Sequence, residues 1–200
     1  MTYHPRGLAQ VYVRQMVDVA HAAWLRGWAA GTAGNFSVAS PHGVWMSPSG
    51  VCKGKLSTER FILIDSQLGV PLRHGSWKAS EEAPAHLGIY QHMGLRGCVV
   101  HVHPPILVEK SRGISEWVFQ ADELQKALGC DEASEILKLK LAPNPKRHDF
   151  KDLQNQLTEW WCEKAKLLIV QGHGVWAWGE TPQAAMNRIE AIEHLCNVNT

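Results

Sequence analysis

The chain has no long apolar run, no block of like charge and no paired-cysteine motif, and each absence narrows what it does. No stretch approaches the roughly 18 apolar residues of a membrane span, so no membrane partner is expected. Twenty basic and nineteen acidic side chains leave a formal net charge of +1. That balance argues against a polybasic nucleic-acid surface. The five cysteines, Cys52, Cys98, Cys130, Cys162 and Cys196, are odd in number, widely spaced and contain no CxxC. A disulfide framework is not expected, and a reducing cytoplasm is the simpler setting. The start, Met1 to Arg6, has no apolar h-region, so no secretory signal is expected. Neither a GxxxxGK[ST] loop nor a GxGxxG after a strand is present, which removes two common nucleotide sites. Low-complexity tracts and repeats are also missing.

What is present fits one domain over residues 1–200, long enough to bury a substantial core. The nine tryptophans are many for this length, and most are expected in a core or an interface. Residues 11–28 carry Met16, Ala20, Ala23 and Trp24 at helical spacing, with Gly27 as a terminator. A glycine-rich turn at Gly31–Asn35 leads into strands at 36–39 and 44–47, arranged as a hairpin. Phe61–Asp65 reads as a strand. Glu81–His92 reads as a helix with Ser80 as N-cap and Pro84 in the first turn. Further strands are expected at 98–103, 116–120, 137–141, 167–170 and 175–178. Helices are expected near Asp122–Leu128, over Phe150–Lys164, and from Thr181-Pro182 onward. Interleaved strands and helices with hairpins predict an α/β fold with a mixed sheet.

One histidine pattern carries chemistry. His101-Val102-His103 ends an apolar run and is closed by Pro104-Pro105. Strand side chains alternate, so His101 and His103 share a face and Val100 and Val102 take the other. About 70 residues later His173 sits between Gly172 and Gly174, which permit a tight turn and close backbone approach. Three imidazoles on one point would make a metal site with an open position, best suited to zinc, with iron, nickel or cobalt open. Spacing leaves open the alternative of two histidines on a sheet face and an unrelated third in a turn. His4, His42, His74, His92 and His148 read as surface residues, and His194 as packing or helix surface. His86 shares a helix face with Glu82 and suits a structural hydrogen bond as well as a catalytic role.

Small polar turns follow a second pattern. Gly34-Asn35-Phe36-Ser37, Ser49-Gly50 and Ser80 present hydroxyls and backbone N–H groups, with Lys53 and Lys55 close behind. Such donors can cradle a phosphate, although turn residues are usually only that. Glu81 and Glu82 start a helix and Glu123 lies at a strand-to-helix boundary, both ordinary places for carboxylates.

Taken in order, these segments resemble the class II aldolase family, also called aldolase/adducin-like, over nearly the whole chain. The resemblance implies a mixed, mainly antiparallel central sheet flanked by helices, a three-layer αβα fold forming one catalytic domain. It implies a homotetramer with sites near subunit interfaces. His101, His103 and His173 would bind one zinc ion per subunit. Asn35, Ser49, Gly50, Lys53 and Ser80 would lie near a substrate phosphate.

Within the family the nearest branch is the one that dehydrates 5-methylthioribulose 1-phosphate in methionine salvage. The segments 49–56, 120–127 and 173–179 carry that choice, the middle one most strongly. It places the acid–base residue at Glu123. Glu82 matches the acid–base position of the sugar-phosphate aldolases and here a substrate or metal neighbour. Glu81 departs from the small residue usual between Ser80 and Glu82. Two alternatives stay open: a sugar-phosphate aldolase or pentulose-phosphate 4-epimerase, and a non-catalytic adducin-like interaction domain.

Overall fold

A computed structural model describes residues 5–72, 76–120, 122–130, 136–145 and 149–198. His4, His74, His148 and Ala121 of the 120–127 segment therefore lie outside the described residues. The sheet is organised around β4 (Cys98–Val102), whose residues are all buried. A run that is apolar apart from His101 suits a central strand covered on both faces. β1 (Asn35–Ser40) and β8 (Gly174–Gly179) flank it, both antiparallel. β2 (Gly43–Met46) pairs with β1 and with the edge strand β3 (Ile62–Ile64), and β7 (Leu167–Val170) closes the other edge. The order is β3-β2-β1-β4-β8-β7. Parallel pairing enters through an isolated bridge, Ala142 to Val170. β5 (Glu116–Phe119) and β6 (Leu137–Lys140) form a separate two-stranded sheet.

Alternation along β4 separates two cores. Cys98, Val100 and Val102 join Met16 and Ala20 of α1 (Leu8–Leu25) and Ile189 and Ile192 of α5 (Pro182–Val198). Val99 joins Leu87 and Tyr90 of α2 (Ala83–Met93) and Phe150 and Leu153 of α4 (Phe150–Asn155), together with Trp176 and Trp178. The result is the expected αβα layering. The two valines opposite the histidines, Val100 and Val102, do lie on the α1–α5 side.

Local departures from the sequence reading have local causes. α1 begins and ends earlier than 11–28. Gly27 (φ 77°) closes it in a Schellman motif, with Trp28 N–H bonded to Ala23 O and Gly27 N–H to Trp24 O. The Pro104-Pro105 pair both ends β4 and starts a helix, α3 (Pro105–Lys110), because proline is pre-set for a first helical position. The helix expected over Phe150–Lys164 stops at Asn155 and gives way to a 3-10 turn, Leu157–Glu159. Just beyond that turn the half-buried Trp161 stacks on Trp178 at 4.3 Å. The segment after Asp122 is a 3-10 helix, Glu123–Leu128, capped by the Asp122 carboxylate accepting from Leu124 N–H at 2.8 Å. Ser80 is not the N-cap of α2. Glu82 holds that position, and the Ser80 hydroxyl accepts the Glu82 N–H at 3.2 Å. Thr181 does cap α5, accepting from Ala184 N–H at 3.1 Å.

Gly97, at the entry to β4, has φ 74°, and a Cβ there would stand 2.4 Å from Gly179 O. A Gly97→Ala substitution is expected to destabilise the fold by about 2 kcal/mol or more, from left-handed strain plus the clash. Denaturant unfolding measures it, and an unchanged midpoint would contradict this account of the strand entry.

Candidate metal centre

β4 delivers His101 on its last turn of alternation, and His103 follows just beyond the strand, its N–H bonded to Trp28 O at 2.8 Å. The β7–β8 turn delivers His173, and the first residue of the α2 cap delivers Glu82. Their ligand atoms all lie within 4.8 Å of one another, so the four side chains form a group that can hold a metal ion. The sequence-predicted histidines are thus brought together, and Glu82 joins them.

Hydrogen bonds decide which nitrogens face the centre. His101 Nδ1 donates to Val175 O at 3.0 Å, and His103 Nδ1 donates to His173 O at 2.7 Å. Each ring therefore carries its proton on Nδ1 and keeps a lone pair on Nε2. His101 Nε2 is buried without a hydrogen-bond partner. It lies 3.3 Å from Glu82 Oε1, which is also 2.9 Å from His173 Nε2. Burial lowers the His101 pKa and carries His103 down to about 3, the charges of neighbouring histidines adding to the effect at His103. Burial alone would raise the Glu82 carboxyl, but the neighbouring His101 and His173 outweigh it and hold the group well below the usual carboxylate range. His173 Nε2 hydrogen-bonds Glu82 Oε1, but the His101 Nε2 lone pair faces the same carboxylate with no proton between them, a contact that a cation would satisfy. The donor set fits a divalent metal with nitrogen and oxygen ligands.

The sheet supports this arrangement from below. Trp176, in register with His101 across β4 and β8, stacks on its ring at 3.6 Å. Phe150 packs against His173 at 5.5 Å between ring centres. Neither aromatic stands out in the sequence as part of a site. The signal for Trp176 is its alternate position on the strand that follows His173.

Beside the histidines opens a cavity of about 230 Å³ whose wall includes Asn35, Ser49, Gly50, Lys53, Ser80, Glu82 and His103. All five residues expected near a phosphate border it. Lys53 is 1% exposed. Its Nζ donates to Thr32 O at 2.8 Å and Val51 O at 2.9 Å, leaving one of three N–H groups uncommitted to these carbonyls. Burial lowers its pKa to about 8, with Cys52 and Glu82 pulling the other way. Glu81 is exposed and lines an adjoining hollow of about 210 Å³ with Phe150. Glu123 is elsewhere. Its side chain is 85% exposed, pairs with Lys126 at 3.3 Å, and borders neither cavity. Of the histidines read as surface residues, His42 and His92 are exposed, and so is His194; His86 is completely buried.

A family model described as the Class II Aldolase and Adducin N-terminal domain matches residues 14–200. A methylthioribulose-1-phosphate dehydratase of Methylococcus capsulatus is 33% identical over 180 residues, covering 88% of this chain and 86% of that protein. One from Bacillus subtilis is 30% identical over 189 residues, covering 91% and 88%. Among solved structures, the L-fuculose-1-phosphate aldolase of Thermus thermophilus superposes with a TM-score of 0.74 at 22% identity, covering 94% of this chain and 93% of that one. That likeness speaks to the fold.

A Cβ at Gly174 would stand 2.6 Å from Val102 O and 3.2 Å from both His101 Cε1 and His103 Nδ1. Gly174→Ala is therefore expected to displace both rings, lower the metal content of the purified protein, and cost about 1–3 kcal/mol of stability from overpacking. Metal analysis and thermal unfolding of the same sample check it. Parental metal content in the variant would show that this close approach is not needed.

Proposed function

Since the chain belongs to the class II aldolase and adducin N-terminal domain family, we propose that it dehydrates 5-methylthioribulose 1-phosphate to 2,3-diketo-5-methylthiopentyl 1-phosphate in methionine salvage. In this reading residues 1–200 form one cytoplasmic catalytic domain, assembled as a homotetramer with one zinc ion per subunit. The observation that carries it is the convergence of three histidine side chains and Glu82 beside a cavity with a buried lysine. The names of relatives about 30% identical over most of the chain select dehydration within the family.

His101, His103 and His173 hold the metal. When bound there, zinc supplies Lewis acidity toward the substrate C2 carbonyl and C3 hydroxyl and so acidifies the C3 proton. Lys53 directs its remaining N–H to the phosphate, with Asn35, Ser49, Gly50 and Ser80 completing the cradle. Glu123 takes the C3 proton, and the C4 hydroxyl departs as water after protonation by Glu123, Glu82 or solvent. The resulting enol ketonises to the 2,3-diketone. Because Glu123 faces solvent away from its own cavity, it serves the site of a neighbouring subunit. That role fits a homotetramer with sites near interfaces. Exposed Leu68, Val70, Leu72 and Trp77, close together in the chain, offer apolar surface for such contacts.

The deciding experiment is a dehydration assay on methylthioribulose 1-phosphate, with and without chelator, on protein whose metal content is known. Chelator-sensitive dehydration is expected. Retro-aldol cleavage of fuculose or rhamnulose 1-phosphate without dehydration would favour the aldolase reading, and protein without stoichiometric metal or activity the interaction-domain reading. Glu123→Gln is expected to lower kcat by about 10²–10⁴ with metal retained. Co-assembly of Glu123→Gln with His103→Ala subunits is expected to restore part of the activity. Near-full turnover of Glu123→Gln would remove the residue from the mechanism.

Lys53 also gives the reaction a pH signature. Its pKa is lowered to about 8, so the cation is present below that pH and lost above it. kcat/KM is therefore expected to fall as pH rises through about 8, and Lys53→Met is expected to be weaker and to lack that step. A parental profile without this alkaline limb would contradict the assignment.

A further inference from the structure

Beneath the histidines a line of buried hydrogen bonds runs from the second core up to Glu82. Tyr90, Ser37, His86 and Asn35 are each no more than 3% exposed. Ser37 Oγ lies 2.9 Å from Tyr90 OH and 2.7 Å from His86 Nδ1. His86 Nε2 lies 2.5 Å from Asn35 Oδ1. Asn35 Nδ2 donates to Glu82 Oε2 and, at 3.2 Å, to Ser80 Oγ.

The polarity of this line is set from its upper end. The Glu82 carboxylate only accepts, so Asn35 must turn its NH2 toward it and its oxygen toward His86. His86 must then carry its proton on Nε2 and accept on Nδ1. Ser37 must donate to that nitrogen and accept from the Tyr90 hydroxyl. The Val99 N–H completes the line at the Tyr90 oxygen. Burial lowers the His86 pKa to about 3, the nearby His101 adding to it, so the ring stays neutral as this pattern requires. Chain geometry builds the line directly. Glu82, His86 and Tyr90 recur every four residues up to and along α2, and Asn35 and Ser37 share one face of β1.

We propose that His86 is a positioning residue for the metal centre: through Asn35 it holds the Glu82 carboxylate against His101 and His173, and so sets how tightly the centre keeps its metal ion. This rests on the metal-dependent reading above. Without the His86 donor, Asn35 Oδ1 loses its buried partner, and the amide that aims the Glu82 carboxylate is held from one side only. Groups behind a metal's direct neighbours typically change its affinity by about 10–100-fold.

The test is the zinc affinity of the purified full chain, measured by competition with a chromogenic chelator, alongside thermal unfolding of the metal-free protein. His86→Leu is expected to weaken zinc binding by about 10–100-fold. His86→Gln keeps an N–H of similar reach and is expected to recover most of the affinity. Ser37→Ala frees His86 to adopt its other tautomer and is expected to weaken zinc binding by a smaller factor. Parental affinity in His86→Leu overturns the proposal, and so does equal weakening in the leucine and glutamine variants, which would indicate packing alone. If His86→Leu does not fold, Ser37→Ala decides, and parental affinity there overturns it. A parent chain that binds no stoichiometric zinc overturns the proposed function and this inference together; a zinc-binding parent with unaffected variants overturns only the positioning role.

Discussion

The site depends on one electrostatic constraint: the Nε2 lone pairs of His101 and His103 are fixed toward a centre that also holds the Glu82 carboxylate, which can only accept. The backbone enforces it. Val175 O takes the Nδ1 proton of His101, and His173 O takes that of His103, so neither ring can turn its N–H toward Glu82. His173 Nε2 is hydrogen-bonded to Glu82 Oε1 at 2.9 Å, while His101 Nε2 stands 3.3 Å from the same oxygen with no proton to offer, a contact that is unfavourable by itself and favourable around a cation. Burial sharpens the preference, because protonating the fully buried His101 would place a charge where water does not reach, and burial disfavours the charged form of His103 as well.

The sheet makes this constraint rigid. Asn35, His101 and Trp176 are register neighbours on β1, β4 and β8, so a single row across three strands presents the amide, the imidazole and the indole that stacks beneath it. The same strand pairings that bury Val100 and Val102 against α1 and α5 fix the histidine positions on the opposite face. A slip of one residue in β4 would reverse the two faces and place valines in the site. Stability and function are in this way tied to one register. Gly174 belongs to the same logic, since the β7–β8 turn can approach β4 closely only where no Cβ intervenes.

Much of this was legible in the chain. The alternation His101-Val102-His103 predicts two ligands on one face, and the Gly172-His173-Gly174 turn predicts close approach. The cavity wall gathers Asn35, Ser49, Gly50, Lys53 and Ser80, which the family order had placed in one neighbourhood. What local reading missed depended on tertiary contacts. α4 ends at Asn155, and the half-buried Trp161 beyond it packs on Trp178 of β8, a long-range contact that helical periodicity does not contain. Glu82 became the cap of α2 in place of Ser80, a shift that turns its carboxylate toward the histidines. His86 looked equally suited to structure or catalysis, because a helix-face spacing to Glu82 does not disclose that Asn35 of a distant strand stands between them.

Glu123 shows how far one folded chain can supply the chemistry. The metal-binding group, the buried cation and the amide that aims Glu82 all come from the central sheet and its α2 cover, where burial holds side chains in single conformations. Glu123 comes from a short 3-10 helix on the surface, where its partner is an exposed lysine and its carboxylate remains hydrated. The central sheet and its α2 cover therefore carry the preformed part of the site, and in the proposed reaction Glu123 has to act on a cavity other than its own.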